Sequence, residues 1–481
     1  MKRSPLIVLF LTIFIDLLGF GLILPNIPVY IQHYGGAPWV GGLLLACYSI
    51  TQFIFAPIWG RLSDRVGRRP LILLSLVGSA GSFFFFGWAP NLMVLFAARV
   101  AAGILTSASL PTAQAYIADV TPPEKRAGGM AIIGAAFGLG FALGPVFGGF
   151  LSQHPIWHIT GLAMPAYAAA FLSMANFIVA IFLLPETHHD RSETDHADDK
   201  GLFDVFPAIV RALRSPALGP PLTVFTFATF AFTAVESSFS WLIILRFRDQ
   251  IVRTAAEAWN RVHPLQLFAT LPLHPHAGLI TQQDLIDKAA AAATTSVFTV
   301  VGITILLTQV AVMRGLARRV GEERLVRFGA LLLTVSLVAI AFTNDMTWMR
   351  VLSAFIAIGN GVLNPSLSSL ITRSAGPGNR GAMSGTQQGL GSMARIIAPP
   401  INNTLVGVWP GIPFLASAFI MGAAFVQSLR LRAPEENQPP GGTGEQQATD
   451  NRVDQDHDPN PVSIATDRAS PSVPDPPTEH Y

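Results

Sequence analysis

Apolar residues gather into long, nearly uncharged runs, separated by short polar segments that hold most of the arginines, prolines and acidic residues. A helix crossing the hydrocarbon core needs roughly 20 predominantly apolar residues. Runs of that kind lie at residues 6–30, 40–59, 71–89, 92–117, 130–151 and 159–184, and after a polar interval at 221–245, 294–313, 326–342, 349–371, 383–408 and 413–429. The pattern predicts an all-α integral membrane protein with about 12 transmembrane helices in two six-helix bundles. The eleventh run is the least regular, because it carries Arg395 and the pair Pro399-Pro400.

The polar segments set the orientation, since cytoplasmic loops hold an excess of Lys and Arg. With a cytoplasmic N-terminus, the cytoplasmic segments contain Arg61, Arg65, Arg68 and Arg69, then Lys125 and Arg126, then Arg314, Arg318, Arg319, Arg324 and Arg327, then Arg373 and Arg380. The loops after the first, third, fifth, ninth and eleventh runs hold no Lys or Arg. Both termini are therefore expected in the cytoplasm, with the cell (inner) membrane as the expected location. The long loop 246–293 contradicts the bias with Arg248, Arg253, Arg261 and Lys288, but long loops weigh little in this rule. Alternation places it outside, with a helix starting within 284–295 and leading into the eighth span.

Four regions follow: a first bundle at 1–184, a cytoplasmic linker at 185–217, a second bundle at 218–432 and a tail at 433–481. Lys2 and Arg3 ahead of an apolar run could open a secretory signal, yet no small-residue cleavage site follows, so the run is expected to stay as the first span. The linker string 188–200 (HHDRSETDHADDK) holds three histidines among acids, but its spacing matches no defined metal site, and solvated linker is the preferred reading. An amphipathic stretch at 202–213 suits the membrane surface. The tail is rich in Pro, Gly and acidic residues and is expected to be disordered.

Composition narrows the classes further. Of 481 residues, 51% are hydrophobic and 12% charged, half the charged share of about 25% typical of soluble domains. A formal net charge of +2 gives no support to nucleic-acid binding. Cys47 is the only cysteine, which excludes an intrachain disulfide or a thiolate cluster. No phosphate-binding loop, cofactor motif or enzyme signature appears, so neither cofactor, metal nor catalysis is expected.

Three motifs carry the mechanism. Between the second and third runs lies Gly60-Arg61-Leu62-Ser63-Asp64-Arg65-Val66-Gly67-Arg68-Arg69-Pro70. Its glycines permit a tight turn, and Asp64 can pair with an arginine or a helix N-terminus. Topogenic charge alone would explain the arginines, but not Gly60, Asp64 and Gly67 together. The fifth run contains Gly140, Gly144-Pro145 and Gly148-Gly149, small residues that let helices approach and a proline that bends the helix. In the fourth run, Arg99 stands four residues before Gly103.

The loop resembles the G-x-L-x-D-R-x-G-R-R/K signature of the major facilitator superfamily, and G-F-A-L-G-P-V-F-G-G resembles that family's antiporter signature. Further stretches, I-D-L-L-G-F-G-L-I-L-P from Ile15, Q-F-I-F-A-P from Gln52, A-Y-I-A-D from Ala115 and L-L-P-E-T from Leu183, resemble its tetracycline exporters. The resemblance implies pseudo-symmetric bundles and proton-driven export of a drug-like compound. It also implies a gating role for Gly60, Asp64, Arg65, Gly67, Arg68 and Arg69, with a proton-coupling role for Arg99. Gly315 to Glu322 looks like a decayed second copy of the loop, without its aspartate, as internal duplication would leave. Two features depart from the tetracycline pattern: residues 329–342 carry no acidic residue, and the loop 246–293 is long.

Ionisable residues within a span are functional candidates by default. Asp16, Arg99, Glu236 and Arg395 qualify, with Glu236 and Asp16 as rival proton carriers and Arg99 open to a purely structural ion pair. Gln52, Gln114, Gln309, Asn360, Asn364, Gln387 and Gln388 either line a polar cavity or join helices by hydrogen bonds. Trp241 is a candidate for stacking on a drug or, equally, a lipid-interface anchor. Gln52, Trp241, Asn360, Gln387 and Arg395 form the expected substrate set. The expected partners are a small organic substrate, protons and the bilayer, acting on a monomer. A proton-coupled importer of the same fold, or a non-transporting sensor or scaffold, remain the alternatives.

Overall fold

A computed structural model describes residues 4–121, 126–153, 162–186, 205–269, 282–311, 317–374 and 376–431. The histidine-bearing linker string at 188–200 and the tail from 433 lie outside the described residues.

Every apolar run is helical, and no strand occurs among the described residues. The first span is α1 (Ser4–Ile23), which passes through a 3-10 turn (Leu24–Asn26) into α2 (Ile27–His33). The change of pitch follows from Pro25 and Pro28, which have no N–H to donate to the helical ladder. Then come α3 (Pro38–Val66), α4 (Arg68–Trp88), a fourth span split into α5 (Leu92–Thr106) and α6 (Ser109–Val120), α7 (Arg126–Gln153) and α8 (Met164–Leu183). The short α9 (Val205–Arg214) precedes α10 (Gly219–Arg246), α11 (Arg248–Ala269), α12 (Gln282–Ala311), α13 (Ala317–Val320), α14 (Glu322–Phe342), α15 (Met346–Ser374), α16 (Gly376–Val408) and α17 (Ile412–Ser428). Among the described residues, nine continuous segments are long and apolar enough to cross a membrane. The other three runs lie in α7, α16 and α17. α17 has only 17 residues, and α16 carries Gln387, Gln388 and Arg395 along its middle.

The long loop at 246–293 proves to be largely helical. α11 follows α10 after Phe247 alone, with Asp249 in its first turn, where a carboxylate complements the helix dipole. Ile251 and Ala255, one turn apart, are buried, and α11 packs against α12 and α10. α12 starts at Gln282, ahead of its apolar run, as the 284–295 string led us to expect. The amphipathic stretch at 202–213 also finds a protein partner. Ile209 and Ala212 of α9 are buried with Leu222, Ile371, Met383 and Leu390, so its apolar face covers the ends of α10 and α16.

Helix neighbours repeat after six spans. In the first set α1 packs on α7 and α8, α3 on α5, and α4 on α5 and α8. In the second, α10 packs on α16 and α17, α12 on α15, and α14 on α15 and α17. Two seams join the sets, α3 with α16 and α7 with α12, and the same shift exchanges them. The turns repeat as well: Gly67 (φ 107°) precedes α4, and Gly321 (φ 88°) precedes α14. Both angles lie where a side chain would be strained. The charges beside the two turns are inverted. Arg68 pairs with Asp119 at 3.2 Å in the first set, while Glu322 faces Arg373 at 3.9 Å in the second.

Candidate functional site

Asp16 sits near the middle of α1, one turn before Phe20. Ser79 of α4 donates to one of its carboxylate oxygens at 3.0 Å, and Ser109 of α6 donates to the other at 2.5 Å. Arg99 of α5 lines the same recess and is only 2% exposed. No ion pair joins the two. The guanidinium instead faces the rings of Phe86 (5.1 Å), Phe20 (5.6 Å) and Tyr48 (5.7 Å), at distances where cation–π attraction operates. Among the described residues no ion pair to Arg99 occurs, and the Asp16 oxygens are held by serines.

Glu236 of α10 is half-buried, and its electrostatic partner is Arg395 of α16. Tyr48 of α3 lies within the field of Asp16, Arg99 and Arg395 together, so charges from both sets of helices converge on its side. Gln52, one turn along α3, donates to the Tyr48 hydroxyl at 3.4 Å. These residues bring Asp16, Arg99, Gln52, Arg395 and Glu236 into one electrostatic neighbourhood around the α3–α16 seam.

The remaining substrate candidates are placed elsewhere. Asn360 accepts from Asn364 of its own helix at 2.6 Å, and Gln387 donates to Ser368 at 2.8 Å, so both amides serve α15 and its neighbours. Trp241 is 1% exposed, which removes the lipid-anchor reading, and it packs beside Gly41 of α3. There it borders a polar knot that sequence reasoning missed. With its amide oriented to satisfy both sides, Asn403 of α16 accepts from the Gly42 N–H at 2.9 Å and donates to the Ser237 carbonyl at 3.0 Å and the Ser238 hydroxyl at 2.9 Å.

The glycines of α7 are packing surfaces. A methyl group on Gly140 would press on the Phe14 carbonyl, one on Gly144 on the Gly21 backbone, and one on Gly148 would overlap the Leu22 backbone. Gly149 faces the other way and meets Thr295 of α12. With Pro145 inside the helix, this string holds α7 against α1 on one side and across the seam to α12 on the other.

At the α3–α4 turn, Arg68 is buried beside Asp64 (2.5 Å), Asp119 (3.2 Å) and the Ser63 hydroxyl (2.6 Å). Glu186, beyond the end of α8, accepts from the backbone N–H groups of Arg68 (3.0 Å) and Arg69 (3.2 Å), as an anion at a helix N-terminus does. Gly67 is required there, since a side chain would strike the Glu186 carboxylate as well as strain the backbone. The Arg69 guanidinium donates to the Ile181 carbonyl at 2.8 Å. Arg65 is exposed, and Gly60 has open space beside it, with only Pro111 in reach at 3.9 Å.

Comparison with known proteins places this arrangement. The profile of the Major Facilitator Superfamily matches residues 9–254 and 267–471. The chain belongs to that family. The "Tetracycline resistance protein, class C" of Escherichia coli is 29% identical over 430 residues, spanning 88% of this chain and 94% of the relative. The "Multidrug resistance protein 2" of Bacillus subtilis is 25% identical over 426 residues, spanning 87% and 93%. Among solved structures, the crystal structure of the human organic anion transporter MFSD10 superposes with a TM-score of 0.60 at 24% identity, covering 89% of this chain and 99% of the other. The chain is thus a multi-pass membrane transporter of this family, whose members carry small organic substrates and are not enzymes.

Proposed function

We propose that this transporter exports a drug-like, amphiphilic organic compound in exchange for protons, alternating between states open to either side of the membrane. The observation that carries the reading is the glycine string of α7, which packs one helix against both α1 and the α12 seam, combined with similarity to tetracycline and multidrug resistance proteins over nearly the whole chain. Close packing of glycine on backbone seats α7 against α1 within the first set while Gly149 of the same string meets Thr295 of α12 across the seam. The N-terminus and tail lie in the cytoplasm, and α11 lies on the opposite side.

Glu236 carries the coupling proton. It is the one half-buried carboxylate of α10, and a positively charged drug competes with a proton for it. Asp16 is the rival carrier. Arg99 and Arg395 set the field in which either acid ionises. An arginine does not release its own proton, so its part in coupling is electrostatic. Trp241 reaches a substrate only when the α3–α10 contact opens. The Asp64–Arg68–Asp119 cluster and the glycine turn gate the cytoplasmic side. Susceptibility of a pump-deficient bacterial host to a drug panel, with and without a protonophore, tests the reading: resistance that the protonophore abolishes supports it, and unchanged susceptibility to every drug contradicts it.

A further inference from the structure

His33 closes α2 in the first set of helices, and Asp287 lies in the second turn of α12 in the other set. The imidazole Nδ1 and a carboxylate oxygen of Asp287 stand 3.1 Å apart, so a protonated ring donates to the acid across the line where the sets meet. Tyr34 packs edge-on against the His33 ring at 5.1 Å and donates its hydroxyl to the Ala89 carbonyl at 2.5 Å, which fastens this end of α2 to the end of α4. The 3-10 turn and α2 both pack on α12. Asn403 also ties the sets together through α3 and α10, but that knot holds no group that titrates. The His33 side chain is 41% exposed and that of Asp287 14%, so protons from the adjacent solution reach the ring while the acid is sheltered. Histidine ordinarily changes charge between about pH 5 and 8. Among the described residues, the other charged or titratable groups at this end of the helices around the pair are Tyr34, Lys288 of α12, Arg248, Asp249, Arg253 and Glu257 of α11, Arg246 of α10 and Arg350 of α15. Side chains of those types ordinarily keep one charge state over that range.

We propose that the His33–Asp287 pair is a proton-operated latch that fastens the outer ends of the two helix sets. With the ring protonated and Asp287 ionised, the contact is an ion pair. As pH rises through the histidine range the ring loses its charge and the attraction is lost. Acid at this face therefore favours the joined arrangement, and a higher pH favours separation. A partly exposed pair contributes little, so the latch biases an equilibrium and does not lock it. A small bias is enough to shift populations when two states lie close in free energy. The inference rests on the proposed transport cycle for the alternation of states and for calling this face outer. In that cycle, protons outside favour closure once the substrate has left. The latch is separate from Glu236, because no substrate competes for its proton.

The test is a distance measurement on purified full-length protein in detergent, which depends neither on transport nor on which side of the membrane this end faces. Met93, 80% exposed in the first turn of α5, and Trp348, 63% exposed in the first turn of α15, stand at this end of the two sets. Met93→Cys and Trp348→Cys in a Cys47→Ser background carry a pair of spin labels, and pulsed electron resonance gives the ratio of long to short distances. We expect that ratio to rise about threefold from about pH 5.5 to about pH 8, and to stay flat in His33→Gln and in Asp287→Asn. Repeating the titration in Glu236→Gln keeps the two readings apart. A rise that persists there belongs to the latch, whatever becomes of Glu236 as the coupling site. A ratio that does not change with pH in the parent, a rise that disappears in Glu236→Gln, or a rise that survives in either His33→Gln or Asp287→Asn would each overturn the proposal.

Discussion

Gly21 of α1 and Gly144 of α7 meet backbone to backbone: a Cβ on Gly144 would lie 2.6 Å from the Gly21 Cα, and one on Gly21 2.9 Å from the Gly144 Cα. The motif that reads as an antiporter signature in sequence is thus a helix contact that excludes every side chain.

Gly144→Val should therefore push α7 off α1. Overpacking of this kind costs about 1–3 kcal/mol. We expect lower thermal stability in detergent and loss of transport in reconstituted vesicles. Gly60→Ala, in the open space near Pro111, should leave thermal stability unchanged. A Gly144→Val protein as stable and active as the parent would show that α1 and α7 do not need this contact.

Asp64→Asn should abolish most transport while leaving insertion and abundance near normal. The Asp64 side chain is 64% exposed, so its pair with Arg68 adds about 1 kcal/mol or less to stability here. A large loss of transport would then come from a different conformation, in which Asp64 makes contacts it lacks now. Arg68→Ala is expected to be harsher, because it strips Asp119 and Ser63 of a buried partner, and abundance should fall with activity. Full export by normally expressed Asp64→Asn would remove Asp64 from the gate.

Orientation is testable at α11. Glu257 is exposed on that helix, so Glu257→Cys in a Cys47→Ser background should react with an impermeant maleimide added to intact cells. Labelling only after permeabilisation would place α11 in the cytoplasm and reverse the second set of helices.

The spans were legible because hydrophobicity over some 20 residues is a local property that any window detects. α11 was not, since its polar, alternating sequence resembles a loop until Ile251 and Ala255 find α10 and α12 to pack against. The glycine of the first turn was legible from its spacing, but the reason for it was not: Glu186, which caps α4, comes from 118 residues further along the chain. Arg99 shows the same limit. Its burial could be inferred from its span, whereas Phe20, Tyr48 and Phe86 reach it from three different helices. Nothing in the sequence marks Asn403, and only the packed seam reveals the knot it ties with Gly42 and Ser237.

In the proposed mechanism one membrane carboxylate, Glu236, exchanges a proton for substrate. Gln keeps the shape and much of the hydrogen bonding of Glu but cannot titrate. The direct measurement is proton release from purified protein in weakly buffered solution on addition of a cationic drug that the susceptibility panel identifies. The parent protein should release protons on binding, and Glu236→Gln should bind the drug but release none. Proton release that persists in Glu236→Gln and vanishes in Asp16→Asn would contradict the assignment and move the coupling site to α1.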